Sequence, residues 1–223
     1  MKRTLSVVAV TTLLTGCMTA KLDENRMAPT HIASGEGVVI LAKPKVDGGS
    51  AEDSFMDCVG GRLSGEGIKV QANDAFVDQL FPWFEPAIAP QRPEGIARLL
   101  ARPSVAQRIA GTGVRYVVWV DGVTRKTDSG GSFSCAIGPG GGGCLGFGWW
   151  EKESAYEAAV WDLQTGKSTG EVTTNVTGTS ALVGVIVPLP FIARVQATAC
   201  DRLAEQLTAF LRGGDSAAAA ASP

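Results

Sequence analysis

Four cysteines, Cys58, Cys135, Cys144 and Cys200, are the side chains of this sequence best equipped for chemistry. A thiol serves as a nucleophile, a metal ligand or half of a disulfide. Cys135 and Cys144 frame Ala136-Ile137-Gly138-Pro139 and a run of four glycines. No histidine or acid stands beside them, so a two-thiolate metal site would be incomplete. In an oxidising compartment an even set of cysteines reads as disulfides, and four allow three pairings. The expected pairing is Cys135–Cys144, across a short hairpin, and Cys58–Cys200, at the flanks of two predicted helices, which meet if both helices cover the same sheet face. Closing the glycine-rich loop contributes about 2–3 kcal/mol by restricting the unfolded chain. The glycines are not a phosphate cradle, because Gly143 leads into Cys144 and not into Gly-Lys-Ser/Thr. The one histidine, His31, lies in a polar stretch and reads as solvated. Asp74, Asp78, Glu85, Glu151, Glu153, Glu157 and Asp162 are scattered, with no partner at the spacing of a triad or a carboxylate pair. The expectation is a protein that is not an enzyme, with no cofactor and no metal.

A fifth cysteine, Cys17, ends Leu14-Thr15-Gly16-Cys17. Before it stand Lys2, Arg3 and an apolar segment from Leu5 to Leu14, too short to span a bilayer comfortably. A basic start, an apolar core and small residues at a cut site describe an export signal. The tetrapeptide resembles the lipobox of bacterial lipoproteins. The resemblance implies a signal peptide over 1–16, cleavage before Cys17, and acylation of the thiol and the new amine, palmitate included. Several acyl chains hold a protein firmly to a membrane, where one does so only marginally. In enteric members an Asp after the cysteine favours inner-membrane retention. Met18 stands there, so the resemblance implies the outer membrane, with the body facing the periplasm.

Removal of the first 16 of 223 residues leaves 207, enough for one full domain. Formal charge is −2 and becomes −4 when Lys2 and Arg3 leave. With no basic run, nucleic acid is not an expected partner. After the signal no apolar run reaches about eighteen residues, so no transmembrane helix is expected.

Residues 17–36 read as a lipidated polar tether. Gly37 to Ala42 is a short β-branched run, hence a buried strand. A helix follows with Phe55, Val59 and Leu63 on one face and Cys58 at its flank. Ile68 to Gln71 is a second strand, and Asn73 opens a second helix through Phe76, Val77 and Leu80. Prolines at 82, 86, 90, 93 and 103 predict a wrapped loop with short helical turns, Pro103 suiting the first turn of the next helix. Val114 to Val120, β-branched or aromatic on both faces, predicts a central strand. Residues 130–143 read as a glycine-rich loop. Strands are expected around 146–153, 155–163 and 172–179, with a turn at Asp162-Leu163-Gln164-Thr165-Gly166, and the apolar piece 182–192 is broken by Pro188 and Pro190. Arg194 to Leu211 is an amphipathic helix carrying Cys200. Residues 213–223 read as a disordered tail. The expected fold is α/β (α+β), a mixed sheet with helices packed on it, in the order β-α-β-α-β-β-β-β-α and forming a single domain over 37–212.

Gly67 to Gln71 leading into the Asn73 helix, the Gly113-to-Trp119 strand, and Trp161-Asp162-Leu163-Gln164-Thr165-Gly166 before a last strand and helix carry a second resemblance. Together they are similar to the small α/β domain at the amino terminus of TolB. That domain also occurs in the curli-secretion channel lipoprotein and in lipoprotein activators of penicillin-binding proteins.

The aromatics Trp83, Phe84, Trp119, Trp149, Trp150 and Trp161 remain. Neighbours in a strand point to opposite faces, so one of Trp149 and Trp150 faces outward. Trp83, Phe147, Trp149, Trp150 and Phe191 are the candidate partner-binding surface. The leading expectation is a lipid-anchored adaptor or assembly factor for another envelope protein, of undetermined oligomeric state. A second is a subunit of an oligomeric secretion pore, with 127–150 and 168–192 as membrane hairpins. Those need about nine to eleven alternating residues per strand, and the first segment is glycine-rich while the second carries two prolines. A third is a small-molecule binder using a Trp-lined surface.

Overall fold

The computed structural model describes residues 18–43, 51–138, 141–184 and 188–214. The expected signal peptide, Cys17 and the tail from residue 215 on lie outside them. The fold is a mixed α/β sheet with helices packed on it, as expected.

β2 (Gly37–Ala42) is buried from Gly37 to Leu41. It pairs in parallel with β3 (Lys69–Gln71), Val38 opposite Val70, and with β4 (Val114–Gly138), Val39 opposite Val117. Strands covered on both faces need apolar side chains on both, which is why this run does not alternate. The remaining strands are β1 (Met18–Arg26), β5 (Gly141–Asp162), β6 (Lys167–Gly184) and β7 (Pro188–Phe191). The sheet order is β1-β6-β5-β4-β2-β3, with β7 pairing β6.

The expected tether is in fact strand β1, followed by chain fastened to the body. β1 is polar and charged, as an edge strand tolerates, and only Leu22, Glu24 and Arg26 are half-buried. Its hydrogen-bonding neighbour, not its own hydrophobicity, makes it a strand. The expected loop over 130–143 is also strand on both sides of residues 139 and 140, which lie outside the description.

The chain divides into two compact units. The larger holds residues 21–123, 155–175 and those from 197 on; the smaller holds 124–154 and 176–196 with 18–20.

In the larger unit, one sheet face carries Val39, Leu41, Val117, Trp119, Trp161 and Leu163. Against it pack α2 (Asn73–Gln79), α3 (Pro93–Leu100) and α4 (Pro103–Gly111) through Phe76, Ile96, Val105 and Ile109. Proline starts α3 and α4, where its missing N–H costs nothing. Period-two alternation sends Val38, Ile40, Tyr116 and Val118 to the other face. α1 (Asp53–Gly65) lies there: Phe55 stacks on Tyr156 with ring centroids 3.5 Å apart, and Gly60 lets α1 approach Ile40. α5 (Val195–Leu211) joins α1 through the expected Cys58–Cys200 disulfide, Cα atoms 6.3 Å apart. The Arg26 guanidinium lies 4.2 Å over the Phe210 ring and donates to the Phe210 carbonyl at 3.1 Å. The Thr30 hydroxyl also donates to that carbonyl, and the Ile32 N–H donates to the Leu211 carbonyl at 3.0 Å. The start of the unit is thus tied to its last helix.

Gly122 has φ +139°, and a Cβ there would stand 2.2 Å from the Ala155 carbonyl oxygen. Gly122→Ala is expected to destabilise the unit by about 2 kcal/mol or more, through backbone strain and that clash, measured by urea unfolding. Asp162 is 5 % exposed; it binds the Arg115 guanidinium at 2.8 Å and accepts from the Gln164 N–H at 2.7 Å. Asp162→Ala leaves the half-buried Arg115 guanidinium with the longer Glu36 pair at 3.4 Å and the Gln164 side chain, and undoes the turn between β5 and β6. The expected loss is about 3 kcal/mol in the same assay.

Candidate functional site

The smaller unit contains the unusual surface. From Asp121 to Glu153 no described side chain is buried, although the chain there is strand. Phe133, Ile137, Leu145 and Phe147 are 43 %, 93 %, 66 % and 48 % exposed. An isolated two-stranded hairpin is marginal in water at best. Apolar side chains gathered on an uncovered surface mark a site that something else covers.

The base of the hairpin is polar and paired. The Thr124 and Ser154 hydroxyls lie 2.6 Å apart, Arg125 meets Glu153 at 3.0 Å, and the Thr127 hydroxyl donates to Glu151 at 3.0 Å. Beyond this base, aromatic rings lie over glycines. The Phe133 ring covers Gly146 and Gly148, and the Trp149 indole covers Gly130. Rings that cover glycines of the neighbouring strand protect their exposed backbone, so glycine richness is compatible with a strand here. Thr127 faces Glu151, yet Phe133 faces Gly146, one residue out of step. β4 therefore carries a one-residue bulge near Gly131, whose φ is +133°. The step brings position 135 opposite position 144. Cys135 is disulfide-bonded; the side chain of Cys144, its expected partner, lies outside those described.

Charge distribution is the second feature. Between Asp128 and Glu151 stand 22 residues without a charge, and between Glu171 and Arg194 stand 22 more. The second run forms the upper part of β6 and β7, with Leu182 opposite Pro190 and Gly184 opposite Pro188. Pairing extends below β7, where the Ala193 N–H donates to the Ser180 hydroxyl at 3.0 Å. Met18 begins β1 beside Gly178 in this same unit, 3.0 Å from where a Cβ would stand. Proline in a sheet is confined to edges, and β7 is an edge among the described residues. The two prolines thus fit a strand that a central position would forbid.

Of the expected partner-binding residues, Phe147, Trp149 and Trp150 follow one another along β5 in the smaller unit. Trp83 belongs to the larger unit, where the Arg108 guanidinium lies 5.5 Å over its ring. The side chain of Phe191 lies outside those described. The ring of His31 is exposed, and its backbone N–H donates to the Tyr116 hydroxyl at 3.1 Å. Cys58, Cys200 and Asp201 come together, but the two sulfurs are bonded to each other and Asp201 pairs with Arg62 at 2.8 Å. Sequence reasoning missed the paired charge-free runs, and a tally of charge along the chain would have found them.

No protein-family model matches the chain. No curated protein matches it either. Among solved structures it is similar to two PelC dodecamers from Paraburkholderia phytofirmans, one a point-substituted form. Both share 12 % identity with a TM-score of 0.41, covering 88 % and 89 % of this chain and 99 % of each of theirs.

Proposed function

We propose that this chain is a lipid-anchored subunit of an oligomeric pore in the outer membrane, its two charge-free hairpins supplying the barrel strands. The observation that carries this reading is the hairpin of β4 and β5, which from Ser129 to Trp150 buries no described side chain and holds no charge. A membrane-spanning strand needs about 9–11 residues, so two strands and a tight turn need about 22. Both runs have this length, and the second also buries Val172, Thr174, Val176 and Ser180 in the fold, so the first is the one free along its described length. Charge ends them on the water side, and Trp149 and Trp150 fall at that boundary, where indoles favour the membrane interface. Four strands per chain cannot close a barrel, since about eight is the minimum, so several copies must combine. A lipid on Cys17 would hang one residue before Met18, which lies in the hairpin unit.

The test is purification from envelopes in detergent, sizing, and insertion into planar bilayers. The expected result is a ring of several hundred kilodaltons or less with discrete conductance steps. A monomer without conductance overturns the reading.

One observation favours the adaptor reading instead. Pro188 and Pro190 have no N–H, so the outer edge of β7 lacks donors that a neighbouring strand would use. In that case the hairpins dock on another envelope protein, and crosslinking in intact envelopes traps a partner that is not this chain.

A further inference from the structure

The larger unit segregates its charge. A cleft of about 740 Å³ opens between the end of β2, the first turns of α1 and α2, and the chain at 84–89. Asp53, Asp74, Asp78 and Glu85 line it, and Asp57 lines the adjoining cleft with Asp53 and Asp74. Among the described residues no basic side chain lines either of them. Among the described residues none of these five carboxylates forms an ion pair. The wall includes Trp119, 3 % exposed, whose indole N–H has no hydrogen-bond partner among the described residues. A buried donor left unpaired is costly, so the wall of this cleft holds a polar group that the described chain leaves unsatisfied.

The opposite charge lies on α3 and α4. Arg92, Arg98, Arg102 and Arg108 are all exposed, and Glu94 is the one acid on these helices. Among the described residues none of the four arginines forms an ion pair. A chain of net charge −2 that concentrates arginines on one helix pair and carboxylates in one cleft carries both halves of a complementary contact. Because the halves are different surfaces, the contact is head to tail, the type that closes into rings.

We propose that copies of this chain associate head to tail, the α3–α4 arginines of one copy seated in the acidic cleft of the next. The occupant is a second copy. Guanidinium groups bind the carboxylates. This deepens the pore reading by naming its protein–protein contact on the water side, and it rests on that reading only for the statement that the ring encloses a pore.

The experiment uses the full chain purified in detergent, compared with Asp74→Arg/Asp78→Arg and with Arg98→Asp/Arg102→Asp. All four positions are exposed, so each variant is expected to keep the thermal midpoint of the parent. Sedimentation velocity is expected to show the parent assembled at low salt and loosened as salt rises. Each variant alone associates at least about 100-fold more weakly, because like charges then face each other. Mixing the two variants restores assembly, since each now carries the complement of the other. Variants that assemble like the parent overturn the proposal, and so does a mixture of folded variants that stays monomeric. If the parent is a ring and charge reversal leaves it intact, this contact fails and the pore reading stands. If assembly follows charge but bilayers stay silent, the contact stands and the pore reading fails.

Discussion

Replacing residues 124–154 with Asn-Gly abolishes conductance and leaves the larger unit folded. The design follows from the pairing at the base. Gly122 already lies against Tyr156, so positions 123 and 155 are adjacent, and a two-residue turn closes the gap. Ser154 is the one buried described side chain of the deleted stretch, and its hydroxyl partner Thr124 leaves with it, so among the described residues the deletion removes no apolar core side chain. Trp83, Trp119 and Trp161 remain to report cooperative unfolding. The expected shift in the unfolding midpoint is small, within about 1 kcal/mol. The expected change in conductance is complete, because a barrel lacking two strands per copy cannot close. The shortened chain also no longer exposes Phe133, Ile137, Leu145 and Phe147, and it stays in solution at lower detergent. Conductance equal to that of the parent would show that these strands do not line a pore.

The second large effect concerns the Cys58–Cys200 bridge. It links positions 142 apart, so it removes much of the freedom of the unfolded chain. The loop-entropy estimate for such a closure is about 5 kcal/mol, and measured bridges more often contribute about 2–4. For a chain of this size that corresponds to a fall of about 10 °C in Tm for Cys58→Ser/Cys200→Ser, read by calorimetry. Cys200 is 1 % exposed and Cys58 is half-buried, so reductant reaches the bridge of the folded protein through the Cys58 sulfur. Loss of Cys135 is expected to leave Tm of the larger unit unchanged, because that residue belongs to the smaller unit. Equal Tm with and without the Cys58–Cys200 bridge would show that α1 and α5 are held by packing alone.

Much of the larger unit was legible in the amino acids. Val38 to Leu41 and Val114 to Val120 are apolar on both faces, which only a covered strand allows. Phe55, Val59 and Leu63 recur at helical spacing, and Pro93 and Pro103 mark the starts of α3 and α4. The positions of Cys58 and Cys200 on helix flanks were enough to pair them. β1 was not legible, because its residues are polar and its strand character comes from hydrogen bonds to a distant segment. The glycine-rich stretch was misread as a loop. Glycine weakens a strand when considered alone, and nothing in its own sequence tells that the Phe133 and Trp149 rings will lie over it.

By itself the sequence determined the helices, the buried strands and one disulfide, since periodicity and burial are properties of short windows. It also contained the two charge-free runs, though composition alone does not say whether such a run is loop or strand. Only the tertiary structure decided that both are strands, the first with no described side chain buried and the second with Val172, Thr174, Val176 and Ser180 buried, because strand pairing joins residues far apart and glycine permits either state. The same long-range folding gathered carboxylates from α1, α2 and the 84–89 chain into one cleft, an arrangement that no local spacing encodes.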